Sequence, residues 1–292
     1  MAVHLSVAGR SDIGRSRRNN EDALVVATLA GGNLLRGDAL RGRFDIGERG
    51  VLLAVSDGMG GAKAGEVASA LVVESLARAM VEAPMDGPAD ALIKEAVRKA
   101  HREVWAAAHH PGREGMGATL TAVFVQARPS GVTAFIAEVG DSRAYLLRSG
   151  VITRLTKDQS YVQLLVDSGA LDPKDVAQSP LRNVILQAMG HQRPIDVALG
   201  KLDLRGRDCL LLCSDGLTNA VEDDEIRSIV LAAANLEQAL DRLIELANQR
   251  GGDDNITVLT AGVGGDLAPG HAGEQIDQTF QILASFEPQL NG

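Results

Sequence analysis

Residues 51–61 read VLLAVSDGMGG: five apolar residues, a serine, an aspartate and then a glycine-rich turn. A short run of Val, Leu and Ala halted by Asp and Gly has the composition of a buried strand. It leaves Asp57 standing at the end of that strand. Just downstream, Val67, Leu71, Leu76 and Met80 recur at helix-like steps, which predicts a helix over 64–80.

Outward from this stretch the same two kinds of segment recur. Runs of strand type lie at 3–8, 23–28, 119–126, 132–139, 144–148, 151–155, 197–202, 209–214 and 256–261, several bounded by Gly, Asp or Asn. The pair at 144–155 turns at Ser149-Gly150, a hairpin signal. Helical periodicity covers 89–109 through Ile93, Val97, Ala100 and Val104. It returns at 161–167, 223–234 and 236–249. Two early helices lie between strands and two later ones precede the last strand. That order predicts an α+β fold with mainly antiparallel sheets rather than a regular βαβ winding. Residues 30–49 are rich in Gly and charge and read as a surface insertion.

Composition narrows the function classes. The chain has 292 residues, 45% hydrophobic and 23% charged, enough to bury a core without disulfides. With 3% aromatics, that core must be built from Ala, Val, Leu and Ile. The formal net charge of −9 argues against a nucleic-acid binder, which would carry a basic stripe. Cys209 and Cys213 stand four apart in one strand, roughly 13 Å along it and out of disulfide reach. Reduced thiols point to the cytoplasm. No apolar run approaches the roughly 18 residues that cross a bilayer, and no signal peptide is expected at the N-terminus.

The chemistry is carried by carboxylates at strand ends. Asp57 follows VLLAVS, Asp215 follows CLLLCS, Asp141 follows FIAEVG, Asp254 precedes NITVLT, and Glu21-Asp22 precedes ALVVAT. One such Asp is an ordinary turn residue. Gathered together, these groups would repel one another and raise their own pKa values. Divalent cations remove that penalty, and hard oxygen ligands suit magnesium or manganese. The glycines after Asp57 and Asp215 are expected to turn the backbone sharply, with the Gly58 carbonyl free to act as a ligand.

The motifs SDIGRSRRNNEDA, SDGMGG, EVGDSRAY, CSDGL and DDNITV, in that order, resemble the PPM (type 2C) metal-dependent serine/threonine phosphatases in their bacterial form. The resemblance covers about residues 5–262. It implies two stacked, mainly antiparallel sheets flanked by helices, an α-β-β-α sandwich. It further implies a catalytic domain over 1–262, a flap over 156–190, and a linker and tail over 263–292.

By the same resemblance Asp57 bridges two metals, Glu21 and the Gly58 carbonyl hold one, and Asp215 and Asp254 hold the other. Asp253 competes for the last place, but the position before Asn255 is the one that matches. Asp141 resembles the ligand of a third metal. Arg17 resembles the arginine that grips substrate phosphate, and Asp22 a group orienting water. The implied reaction is attack on phosphoserine or phosphothreonine by a hydroxide held between two Mn²⁺ or Mg²⁺ ions, opposing bacterial serine/threonine kinases. Partners are then phosphoproteins, including those kinases or their substrates, and a monomer suffices.

Departures from the family fall around the cleft. Met59 stands where eukaryotic members carry a histidine, and bacterial members commonly have Met. Ala118 interrupts the motif at the start of a strand. Gln159 and Ser179 occupy positions where histidine is frequent, both within the flap, where they bear on substrate choice.

Two rival readings are available. DGMGGAKAG between a strand and a helix looks like a phosphate loop, but Lys63 lacks the preceding Gly and following Ser or Thr of that motif. A non-catalytic binding module on the same fold would be expected to have lost acidic positions, and here all are occupied. The tail at 276–290 holds Phe280, Leu283 and Phe286, and is expected to dock as a short helix on its own domain or on a partner.

Overall fold

A computed structural model describes residues 2–60, 64–84, 86–113, 115–191, 194–271 and 273–288. The first half of the chain runs β1 (Val3–Asp12), β2 (Asp22–Thr28), β3 (Asn33–Arg36), β4 (Ala39–Asp45) and β5 (Val51–Met59). Helices α1 (Ala64–Glu82) and α2 (Ala89–Ala108) follow. Next come β6 (Gly117–Ala118), β7 (Leu120–Arg128), β8 (Gly131–Val139), β9 (Arg143–Arg148), β10 (Val151–Arg154) and α3 (Tyr161–Asp167). The remainder is β11 (Ala198–Asp203), β12 (Cys209–Cys213), α4 (Asp215–Thr218), α5 (Asp223–Ala232), α6 (Leu236–Gln249), β13 (Ile256–Gly265) and β14 (Phe280–Ala284).

The strands form two antiparallel sheets. One has the order β10-β9-β12-β13-β1-β4; the other runs β14-β11-β8-β7-β5-β2-β3, with β6 against β5. Three buried clusters fill the spaces between layers. Leu52 and Ala54 of β5 pack under α1 and α2 with Val72, Leu76, Ile93 and Val97. Val51, Leu53 and Val55 point the other way, toward Leu5, Leu210, Leu212 and Leu259 of the facing sheet. Beyond that sheet, Leu211, Cys213 and Val258 meet Leu240, Leu243 and Ile244 of α6. Period-two alternation splits each central strand between two apolar environments, so such strands carry hydrophobic residues on both faces. This is the α-β-β-α sandwich.

Residues 30–49 are not a plain insertion. Their strands β3 and β4 extend different sheets, β3 against β2 and β4 against β1. In β4, Leu40 and Phe44 turn inward to the inter-sheet core, while Arg41 and Arg43 face out. The charged outer face hides the alternation. The tail also differs from expectation. Phe280–Ala284 is a strand paired with β11, not a helix, and Leu283 is exposed. Its alternating Phe280, Ile282 and Ala284 complete a sheet edge, where backbone pairing outweighs helical spacing. Residues 289 and 290 of that tail, and Lys63 of the glycine-rich loop, lie outside the described residues.

The hairpin at Ser149-Gly150 is as the sequence predicts. Both residues have positive φ, 50° and 83°, which matches the twist of the flanking strands.

Candidate metal centre

Register brings the acidic strand ends to one edge of the sandwich. Asp22, first in β2, sits opposite Asp57 near the end of β5. Cys213 of β12 pairs with both Arg143 of β9 and Val258 of β13, which sets Asp215, Asp141 and Asp254 beside that same end. They surround a cleft of about 530 Å³. Arg17, Glu21, Asp57, Gly58, Asp141, Asp215 and Asp254 line it. Asp22 lies behind Asp57 and does not line the cleft, and Asp253 points to solvent. Met59, Thr119, Asn183 and Ile185 also contribute walls.

The scaffold under these groups is built from short polar contacts. The Asn255 side chain accepts the Glu21 N–H at 2.7 Å and donates to the carbonyls of Ile13 and Asn19. It thereby ties the loop carrying Arg17 to the start of β13. The Ser214 hydroxyl donates to Asp22 Oδ2 at 2.7 Å, crossing from one sheet to the other. The Thr119 hydroxyl accepts the Asp57 N–H at 2.9 Å. Arg17 Nη2 donates to Asp254 Oδ2 at 2.7 Å at the rim.

Close approach, not a sharp turn, requires the two glycines. A Cβ on Gly58 would lie 2.1 Å from the Gly65 carbonyl oxygen, and one on Gly216 would lie 2.0 Å from that of Asn255. Neither has positive φ. A Cβ on Gly65 would sit 2.7 Å from Glu21 Oε2 and 2.9 Å from the Gly58 oxygen. The Glu21 carboxylate and the Gly58 carbonyl therefore border one small space.

Electrostatics defines what this cleft can hold. Burial, reinforced by the charges of Asp22, Asp215 and Asp141, drives the Asp57 carboxyl well above its ordinary range. Burial raises Asp141 in the same way, with Asp215 and Asp158 adding to it. Asp215 is raised by burial and Asp254, and Glu21 by burial. Asp22 rises to about 7, chiefly through burial. Asp22 Oδ1 and Asp215 Oδ1 are sealed from solvent with no hydrogen-bond partner among the described residues. Five acidic side chains, Asp215 with its orphaned oxygen among them, face Arg17 and Arg18 in the lining, an excess of carboxylate that fits cations of high charge and oxygen preference. Among the described residues no three acidic, histidine or cysteine side chains are already gathered tightly enough to hold an ion alone. The carboxylates are instead distributed around the walls of the cleft.

A two-sheet sandwich with helices on both outer faces and a carboxylate cleft along one edge makes an α+β protein suited to holding divalent cations. The chain belongs to the protein phosphatase 2C family, which it matches over residues 29–260. It is 39% identical over 261 residues to the serine/threonine protein phosphatase PstP of Mycobacterium tuberculosis, covering 89% of this chain and 45% of that protein. The chain thus spans about half the length of the first curated relatives it matches. It is 35% identical to the serine/threonine phosphatase stp of Listeria monocytogenes, covering 86% of this chain and 92% of the relative. The crystal structure of the PstP catalytic domain in complex with two manganese ions superposes with a TM-score of 0.74 at 36% identity, covering 90% and 100% of the two chains.

Thr119, Asn183 and Ile185 were not singled out as cleft residues from sequence. Thr119 was visible only as part of an altered motif. Asn183 and Ile185 reach the cleft because the flap returns through an isolated bridge between Ser160 and Ile185. No periodicity announces that bridge.

Proposed function

We propose that this chain is a serine/threonine protein phosphatase that hydrolyses phosphoserine and phosphothreonine with two divalent cations, manganese or magnesium. The observation that carries the reading is the meeting of Glu21, Asp57, Asp141, Asp215 and Asp254, from distant stretches of sequence, in one cleft with Arg17 at its mouth. In this reading Asp57 would serve both cations, Glu21 and the Gly58 carbonyl would hold one, and Asp215 and Asp254 would hold the other. Asp141 with Asp215 would serve a third. When bound, such a pair lowers the pKa of water toward neutrality and polarises the phosphoryl group.

The protein's own groups position the rest. Arg17 leaves Asp254 to take phosphoryl oxygens with its planar fork. Asp22 is held on one oxygen by Ser214, and from its place opposite Asp57 it would orient water through that residue rather than by direct contact. Met59 carries no transferable proton, so the departing alkoxide is protonated by water or by a cleft carboxyl. Residues 1–262 carry the chemistry, and 156–190 form a flap that contributes Asn183 and Ile185 to the wall.

Phosphoproteins, serine/threonine kinases among them, are the partners this reading names, and a monomer suffices. A cytoplasmic location suits two unpaired thiols, both pushed up to about 12 by burial. No helix among the described residues is long and apolar enough to cross a membrane.

The test is release of phosphate from p-nitrophenyl phosphate and from a phosphothreonine peptide with manganese present. Both activities should vanish with chelator and with Asp57→Asn, by about 10³-fold or more in kcat. Turnover indifferent to chelator would remove this reading.

A further inference from the structure

A second cavity lies apart from the catalytic cleft, and no residue lines both. It measures about 620 Å³, within the size range of pockets that enclose a small ligand. Its floor is β8 and β11, one wall is the 154–164 segment, and the tail from Phe280 to Pro288 closes another side. Leu155, Leu164, Leu199, Phe280 and Ile282 give it a largely apolar body.

One group does not belong in such a place. In β8, Ala134 and Ile136 turn toward the inter-sheet core, and the next residue on that face is Glu138. It is only 4% exposed. Its Oε2 accepts the Lys157 N–H at 3.2 Å, while Oε1 is buried with no partner among the described residues. A buried acceptor left unmatched is costly, and burial drives this carboxyl well above its ordinary range.

The neighbouring cations relieve it only in part: the Arg154 charge favours the ionised form, but burial outweighs it. Lys157 Nζ is 2.7 Å from Asp167, and Arg154 is 3.6 Å from Asp158, which also receives Arg143. Both cationic side chains that line the cavity are committed elsewhere. Glu138, Asp158, Asp167 and Glu287 outnumber Arg154 and Lys157 along its walls.

We propose that this cavity is a binding site for a small organic ammonium with an apolar body. The ammonium donates to the Glu138 carboxylate, drawing the sealed Oε1 toward the cavity, and the body lies against Leu155 and Phe280, on the same sheet face as Glu138. A neutral donor of the same shape would satisfy the oxygen but not the charge. An anion would meet the unpaired carboxylate.

The experiment is calorimetric titration of the full chain at saturating magnesium, which keeps the cleft carboxylates occupied by the metal. The probes are 4-phenylbutylamine, 4-phenylbutanol and 4-phenylbutyrate. The amine should saturate a single site with Kd below about 1 mM, as its few heavy atoms allow. It should bind about tenfold more tightly than the alcohol, and the carboxylate should give no saturation. Glu138→Gln should erase the advantage of amine over alcohol. Ala198→Phe, which fills the cavity beside Glu138, should weaken both by about tenfold. Each variant decides by itself if the other fails to fold. Failure of the amine to saturate by roughly 10 mM, binding no tighter than the carboxylate, or undiminished amine binding in either folded variant would overturn the proposal.

Discussion

Among the described residues Arg17 makes one ion pair, with Asp254, and about half of its side chain is exposed. A pair that open contributes roughly 0–1 kcal/mol to stability. Its role is therefore separable from folding. Arg17→Ala should leave the melting temperature nearly unchanged while lowering kcat/KM for a phosphopeptide by about 10²-fold, and Arg17→Lys should recover only part of that loss. Parallel thermal melts and steady-state kinetics decide it; a large fall in melting temperature would mean that Arg17 supports the fold rather than the substrate. At this scale the sequence was most readable where chemistry and strand ends coincide. Asp57, Asp215 and Asp254 each follow or precede an apolar run, so the strand itself points at them. Asp22 was harder to assign, since one register step separates the cleft from the layer behind it.

The elements that sequence under-described are those whose inward face is short. In β4 only Leu40 and Phe44 reach the core, and in β14 the exposed Ile282 masks the pairing of Phe280. The tail is held by more than backbone. Arg148 donates to both oxygens of Asp208 at 2.9 and 2.7 Å and to the Thr279 hydroxyl at 2.8 Å. Arg205 reaches Glu274 at 3.0 Å. Arg148 and Asp208 are buried, so deleting the arginine strands a carboxylate in the interior, which costs about 3–5 kcal/mol. Arg148→Ala should therefore lose that much in urea unfolding, whereas Ile282→Ser, on the open side of the edge strand, should change it by less than about 0.5 kcal/mol. Equal effects would show that the tail is not anchored through Arg148. The hairpin at Ser149-Gly150 and the helices α2 and α6 were readable because their signals are local. The tail's anchor is not local, since it joins residues 148, 208 and 279.

Over the whole molecule, the raised carboxyls set a pH dependence with a definite sign. A carboxyl whose folded pKa exceeds its unfolded value holds its proton more tightly when folded. The stability it contributes is complete below the unfolded pKa and is lost as pH rises through the folded one. Asp57, Asp141, Asp215 and Glu138 are raised, and Asp22 reaches about 7. In chelator the melting temperature should therefore fall between pH 5 and pH 8, by about 5 °C or more, and saturating manganese should restore it at the upper end. Scanning fluorimetry across that range checks it, and a melting temperature that climbs with pH in chelator would contradict the electrostatic picture.

Glu21, Asp22 and Asp57 belong to one layer of the sandwich and Asp215 and Asp254 to the other, with Asp141 on the connection between β8 and β9. The active centre is thus a seam rather than a pocket carved into one slab. A folding intermediate with one slab formed and the other loose would own half a seam and no hydrolytic power. On the proposed function, turnover during refolding should then appear only when the two slabs lock, so that activity would time their docking.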